Sequence, residues 1–143
     1  MIVICWEQLP IYAARSIGAF VESSSEEVVV LRVPTSRFPI RGAAEMTKTR
    51  VVDVAFNDER SLRQILGAVP DVFVCGGWGE KSFLRWMDEV HATAGKVIVC
   101  TDEPTRGKGW REVLRKWRFK WMLQRRIDRL FVAGQGGVLK FPG

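Results

Sequence analysis

The sequence predicts an α/β domain: a Rossmann-like, doubly wound, mainly parallel sheet of about six strands with flanking helices. Three observations point there. Short apolar runs rich in β-branched residues recur along the chain and alternate with stretches whose apolar residues fall at helical spacing, the pattern of βαβ units. The runs are continuously apolar, as strands covered by helices on both faces must be. The length, 143 residues, suits one domain. A chain of this size buries about 68% of its surface on folding, enough for a core without disulfides or metals.

In chain order, Ile2 to Trp6 reads as a buried strand, and Leu9-Pro10 leads into a helix-like stretch from Ile11 to Val21 that Ser23 to Ser25 ends. Glu27 to Val33 is a second strand, Pro34 to Gly42 a loop, and Thr49 to Phe56 a third strand. Asp58 is placed to cap a helix from about Glu59 to Gly67, with Leu62, Ile65 and Leu66 on one side. Pro70 punctuates, Asp71 to Cys75 is a fourth strand, and a helix from Lys81 to Ala94 ends at Gly95. Lys96 to Cys100 is a fifth strand, Lys108 to Arg126 a basic helix, and Arg129 to Ala133 a sixth strand.

Hydrophobic residues make up 47% and charged residues 27% of the chain, which excludes disorder, collagen and coiled coil. No apolar run approaches the roughly 18 residues of a membrane span. The opening MIVICWEQLP lacks the basic start of a secretory signal. Cys5, Cys75 and Cys100 are scattered, and they read as buried thiols in a reducing compartment rather than a disulfide frame or a zinc site. The expected location is cytoplasmic, with room for a peripheral place at the inner face of a membrane.

The net charge of +6 is unevenly spread. Residues 1–105 hold 11 Lys+Arg and 14 Asp+Glu, whereas residues 106–143 hold 11 Lys+Arg against Glu112 and Asp128 only, a net of +9. A field this local suits phosphate, in a lipid headgroup, a nucleic acid or an anionic ligand. It is equally what a solvated basic helix shows. Within it, at 100° per residue, Trp110, Val113, Leu114, Trp117 and Trp121 share an arc of about 100°. Arg111, Arg115 and Arg118 flank one side of this arc, Lys116 and Lys120 the other, and Phe119 lies opposite. Such a helix packs its stripe on the sheet or lays it on a membrane surface, and core packing is the expected one of the two. The basic flanks remain available to anionic lipid. Nucleic acid is not expected, since no RNA-binding signature accompanies the Trp residues.

Ligands of doubly wound sheets sit beyond the carboxyl ends of the strands. That rule selects Glu7-Gln8, Gly76 to Glu80, Thr101 to Arg106 and Gly134 to Gly137. Gly76, Gly77 and Gly79 permit a ligand to approach the backbone or simply make a tight turn, with Trp78 packed on the sheet edge. Lys81 and Ser82 then open a helix whose N–H groups favour an anion. Neither a P-loop nor G-x-G-x-x-G is present. Asp102 and Glu103 are two adjacent carboxylates at a strand end. They can act as a general base, hold a metal or bind sugar hydroxyls, or one of them can cap the next helix. His91, the one histidine, has no nucleophile at a telling spacing and reads as a surface or boundary residue. No ligand spacing indicates a structural metal.

Four segments together resemble the N-terminal domain of GT-B glycosyltransferases of the family 4 (group 1) type. They are the opening strand with Pro10, Tyr12 and Arg15, PDVFVCGGW at 70–78, KVIVCTDEP at 96–104, and RRIDRLFVAGQGG at 125–137. The resemblance covers nearly the whole chain. It implies one half of a two-domain enzyme that moves a hexose from a nucleotide-sugar to a hydroxyl. This half would bind a sugar or lipid-linked acceptor and carry no cofactor of its own. The nucleotide-sugar would sit on a C-terminal donor domain that this chain lacks, so the chain alone is expected to be inactive. On that reading Asp102 and Glu103 act on the acceptor hydroxyl, and Glu7, Gly76, Gly77, Trp78, Gly134 and Gln135 line the cleft. Arg106 meets a phosphate, and Arg111, Arg115, Lys116, Arg118 and Lys120 form an anion or membrane surface. Two departures qualify the transfer of roles: many relatives have a histidine where Asp102-Glu103 stands, and paired glycines where Trp6-Glu7-Gln8 stands. A non-catalytic Rossmann-like module that binds phosphate-bearing ligands, anionic lipid or a partner protein through residues 106–143 is the alternative.

Overall fold

A computed structural model describes residues 1–34, 42–77, 80–101, 110, 114, 117 and 121–132. Six parallel strands form one sheet in the order β3-β2-β1-β4-β5-β6: β1 (Ile2–Glu7), β2 (Val28–Val33), β3 (Arg50–Asp53), β4 (Val72–Gly76), β5 (Lys96–Thr101) and β6 (Arg129–Val132). Among the described residues, the helices before β5 are α1 (Ile11–Ser23), α2 (Ala43–Thr47), α3 (Leu62–Leu66) and α4 (Lys81–Ala92), and residues 121–123 belong to a further helical segment. The fold is therefore α/β and Rossmann-like, and every strand pair is parallel.

Alternation along the strands divides the core in two. Val3, Cys5, Val29, Leu31, Phe73, Cys75, Val97 and Val99 face one way and bury against Leu62 of α3 and Phe83, Trp86, Met87 and Val90 of α4. Ile4, Val28 and Val30 face the other way and bury against Ala13, Ala14 and Ile17 of α1 and Ala43 of α2. The small residues of α1 let it lie close to the sheet. Phe83 and Trp86 stack at 5.8 Å, and the Trp86 Nε1–H donates to the Arg60 carbonyl at 2.8 Å, so the largest core side chain is also satisfied.

Three elements differ from the sequence expectation. β3 is shorter than residues 49–56, because the chain leaves the ladder after Asp53 with only Val54 N–H still bonded to the Arg32 carbonyl. α3 starts at Leu62, not near Glu59, because Ser61 makes the better cap. Its Oγ accepts from Gln64 N–H at 3.1 Å while the Gln64 side chain accepts from Ser61 N–H at 2.8 Å. Asp58 instead turns back on its own loop. The short α2 carries no strong apolar period and was not expected.

Candidate functional site

With all strands parallel, their carboxyl ends share one edge, and the order reverses between β1 and β4. That is the switch point at which doubly wound sheets bind ligands. Glu7 and Gln8 leave β1 here, and Gly76 and Gly77 leave β4. Of the other sequence-selected residues, Trp78, Asp102, Glu103, Arg106, Gly134 and Gln135 lie outside the described residues, as do Arg111, Arg115, Lys116, Arg118 and Lys120.

Gly76 sits opposite Trp6 in the register. A Cβ on Gly76 would fall 2.2 Å from the Trp6 indole, so the absent side chain makes room for that ring. Trp6 is half-buried and floors the switch point from the α1 side. Gly77 follows with φ of 124°, which only glycine adopts readily, and its carbonyl accepts from the Cys75 thiol at 2.6 Å.

The loop after β3 crosses to this place, although the sequence reading left it out. Asn57 N–H donates to Glu80 Oε2 at 3.0 Å, and Asn57 Oδ1 accepts from Lys81 N–H at 3.0 Å. One asparagine, itself at φ of 52°, thus holds Glu80 and caps α4. Glu80 is 2% exposed. Burial pushes its carboxyl up, the Asn57 N–H opposes this, and the charge of Glu7 adds to the rise. Burial drives the Cys5 thiol well above its usual range, with Cys75 and Glu80 adding to it. Cys75 is raised likewise.

This arrangement already occupies part of the anion site expected at the start of α4. The Lys81 N–H is already bonded to Asn57, and a buried carboxyl stands beside it. Glu7, close enough for its charge to act on the buried Glu80, puts further negative charge at this end of α4. Next to Glu80, Ser82 Oγ is buried with no hydrogen-bond partner, alone in this among the described buried side chains. An orphaned hydroxyl of this kind calls for a ligand or water.

Outside the switch point, His91 Nε2 lies 2.8 Å from the Arg126 carbonyl and 3.8 Å from Asp128, at the amino edge of the sheet. Its place is structural. A cleft of about 350 Å³ lies at that same edge, between the turns around Gly67–Asp71 and Thr93–Gly95. Cys5 and Cys75 are buried as expected and Cys100 is half-buried. Among the described residues no cluster could hold a metal ion, and no helix is long and apolar enough to cross a membrane.

The Trp stripe overturns its expected packing. Trp110, Leu114, Trp117 and Trp121 are helical, as the sequence predicts, yet they are 69%, 52%, 65% and 75% exposed. Val113 and Phe119 lie outside the described residues; of the described ones, Leu123 is fully buried against the α4 face of the sheet, with Met122 packed beside it. At 100° per residue, Leu123 lies about 180° from Leu114. Among the described residues, the contact with the core is made away from the tryptophans.

Comparison with known proteins adds no assignment: no family model, no curated protein and no solved structure matches the chain.

Proposed function

We propose that this chain is the acceptor-binding half of a sugar transferase. In the complete enzyme a hexose would pass from a nucleotide-sugar, held by a second domain, to an acceptor hydroxyl. The observation that carries the reading is the acidic switch point. Glu7 stands at the carboxyl edge of a Rossmann-like sheet beside Trp6, which packs on Gly76, and its charge reaches the buried Glu80 that Asn57 holds. Carboxylates accept from sugar hydroxyls, and an indole face packs on a pyranose ring. Asp102 and Glu103, which the chain brings out after β5, would complete the acceptor side, with one of them taking the proton of the attacking hydroxyl.

The test has two arms. Thermal shift of the chain against mono- and disaccharides and against nucleotide-sugars should show stabilisation by an acceptor saccharide and none by the donor. In the two-domain enzyme, Asp102→Asn should lower kcat at least about 100-fold at saturating substrate without unfolding the protein. Stabilisation by nucleotide-sugars alone, or unchanged turnover in the Asp102 variant, refutes the assignment. The exposed stripe favours the second reading, a non-catalytic module that acts through residues 106–143. Binding to an anionic surface with no saccharide response would select it.

A further inference from the structure

We infer that the helical segment carrying Trp110, Leu114, Trp117 and Trp121 is a docking surface for an anionic phospholipid bilayer, with the segment lying in the plane of the headgroups. The inference rests on this segment alone and stands or falls apart from the transferase reading. Three large aromatics and a leucine, each more than half exposed, fall within an arc of about 60° and span about 16 Å of helix. The same segment sends Leu123 into the core, so the outward stripe is not a misplaced core face.

Charge selects the occupant. Residues 106–143 carry a net of +9, and Arg111, Arg115, Arg118, Lys116 and Lys120 fall on both sides of the stripe in the sequence. A second copy would bring the same positive field against itself, which disfavours self-association. An anionic surface is attracted. Tryptophan is the side chain whose ring sits at headgroup depth, and Lys and Arg stems extend past such a ring to reach phosphate. Single-stranded nucleic acid fits less well. Trp117 and Trp121 stack on each other, nearly parallel at 5° with centroids 6.4 Å apart, so a base could stack only on the outer face of each and not slot between them. With an apolar stripe between basic flanks, both contributions act at once: insertion of the rings and attraction of the flanks.

The experiment is co-sedimentation with vesicles of phosphatidylcholine alone and of phosphatidylcholine and phosphatidylglycerol at about 2:1, at low and high salt. It is paired with quenching of tryptophan fluorescence by lipids brominated on the acyl chain. The anionic vesicles should bind the chain, the neutral ones should bind it at least about tenfold more weakly, and brominated lipid should quench it. Trp117→Ala combined with Trp121→Ala removes only exposed surface and should keep the far-UV circular dichroism of the parent. It should lower the affinity for anionic vesicles about 100-fold and remove most of the quenching, leaving only that of Trp110. Four results overturn the inference. One is no binding to anionic vesicles at low salt. Another is binding that the double variant leaves unchanged, which would make the contact purely ionic. The third is a dimer in sedimentation equilibrium that the double variant dissociates. Tighter binding to a single-stranded oligonucleotide than to vesicles would also overturn it.

Discussion

Replacing Asp58 by asparagine tests how the β3–α3 loop is held. Both carboxylate oxygens are in use: Oδ1 accepts from Arg60 N–H and Arg60 Nε at 3.0 Å, and Oδ2 accepts from Ala55 N–H at 3.1 Å and Arg60 Nη2 at 2.7 Å. The side chain is 4% exposed, whereas that of Arg60 is 54% exposed and returns readily to water. The loss therefore falls on the two backbone donors. An amide can present its oxygen to only one of them and turns an NH₂ group toward the other. Charge-assisted bonds are worth about 1.5–3 kcal/mol each, which puts the cost of Asp58→Asn near 2–3 kcal/mol. For a chain of this size that is about 5–10 °C in Tm.

The pH dependence follows from the same bonds. The Arg60 guanidinium, helped by the Arg60 and Ala55 N–H groups and opposed by burial, holds the Asp58 carboxyl well below the usual carboxylate range. A group depressed on folding adds stability above its unfolded value, about 3.9, and loses it as pH falls through the folded value. Urea unfolding followed by circular dichroism should therefore show a constant gap between parent and variant from pH 5 to 8 that narrows below about pH 4. A gap under about 0.5 kcal/mol at pH 7, or one that persists undiminished in acid, would refute the reasoning.

Two further outcomes are expected. Glu80→Gln should melt a few degrees higher than the parent at pH 7, with the advantage gone near pH 4. The carboxyl raised by burial costs stability only once pH exceeds its unfolded value, and a parent at least as stable as the variant at neutral pH would contradict this. In the native state Cys5 and Cys75 should resist a thiol reagent that labels all three cysteines in denaturant, with Cys100 alone reacting slowly. Rapid labelling of more than one thiol would show that the sheet opens readily.

Much of this fold was legible in the residues. IVICW, EVVVLRV, DVFVC and KVIVC are each apolar at every core position, and the structure makes each of them a central or next-to-central strand. The signal was weaker where polar chemistry competed. Asp58 and Ser61 are both good caps, and sequence alone does not say that Arg60 will claim Asp58. The Trp stripe misled because helical periodicity reports that one side is apolar, not what covers it. Among the described residues of the segment, Leu123 on the opposite side, with Met122 beside it, reaches the core. At the site, Glu7 and the Gly76 turn were read from the carboxyl-edge rule. Asn57 and Trp6 were not, since the crossover from β3 brings Asn57 to α4 and the Gly76–Trp6 contact joins strands distant in the chain. The one available hint was Asn57-Asp58 just past a strand, a place where the same edge rule applies.

The strand order also sets a timetable for synthesis. β1 leaves the ribosome first, and β2 can pair with it soon after, yet its other neighbour is β4, with Ile2 aligned to Val72. At about 5–20 residues per second, the central strand waits about 4–14 s with one edge open. During that interval the nascent chain presents Ile-Val-Ile-Cys-Trp as an unsatisfied apolar edge. Slowing translation before residue 72 would lengthen the exposure, and a chaperone that holds extended apolar segments has this stretch as its natural first client.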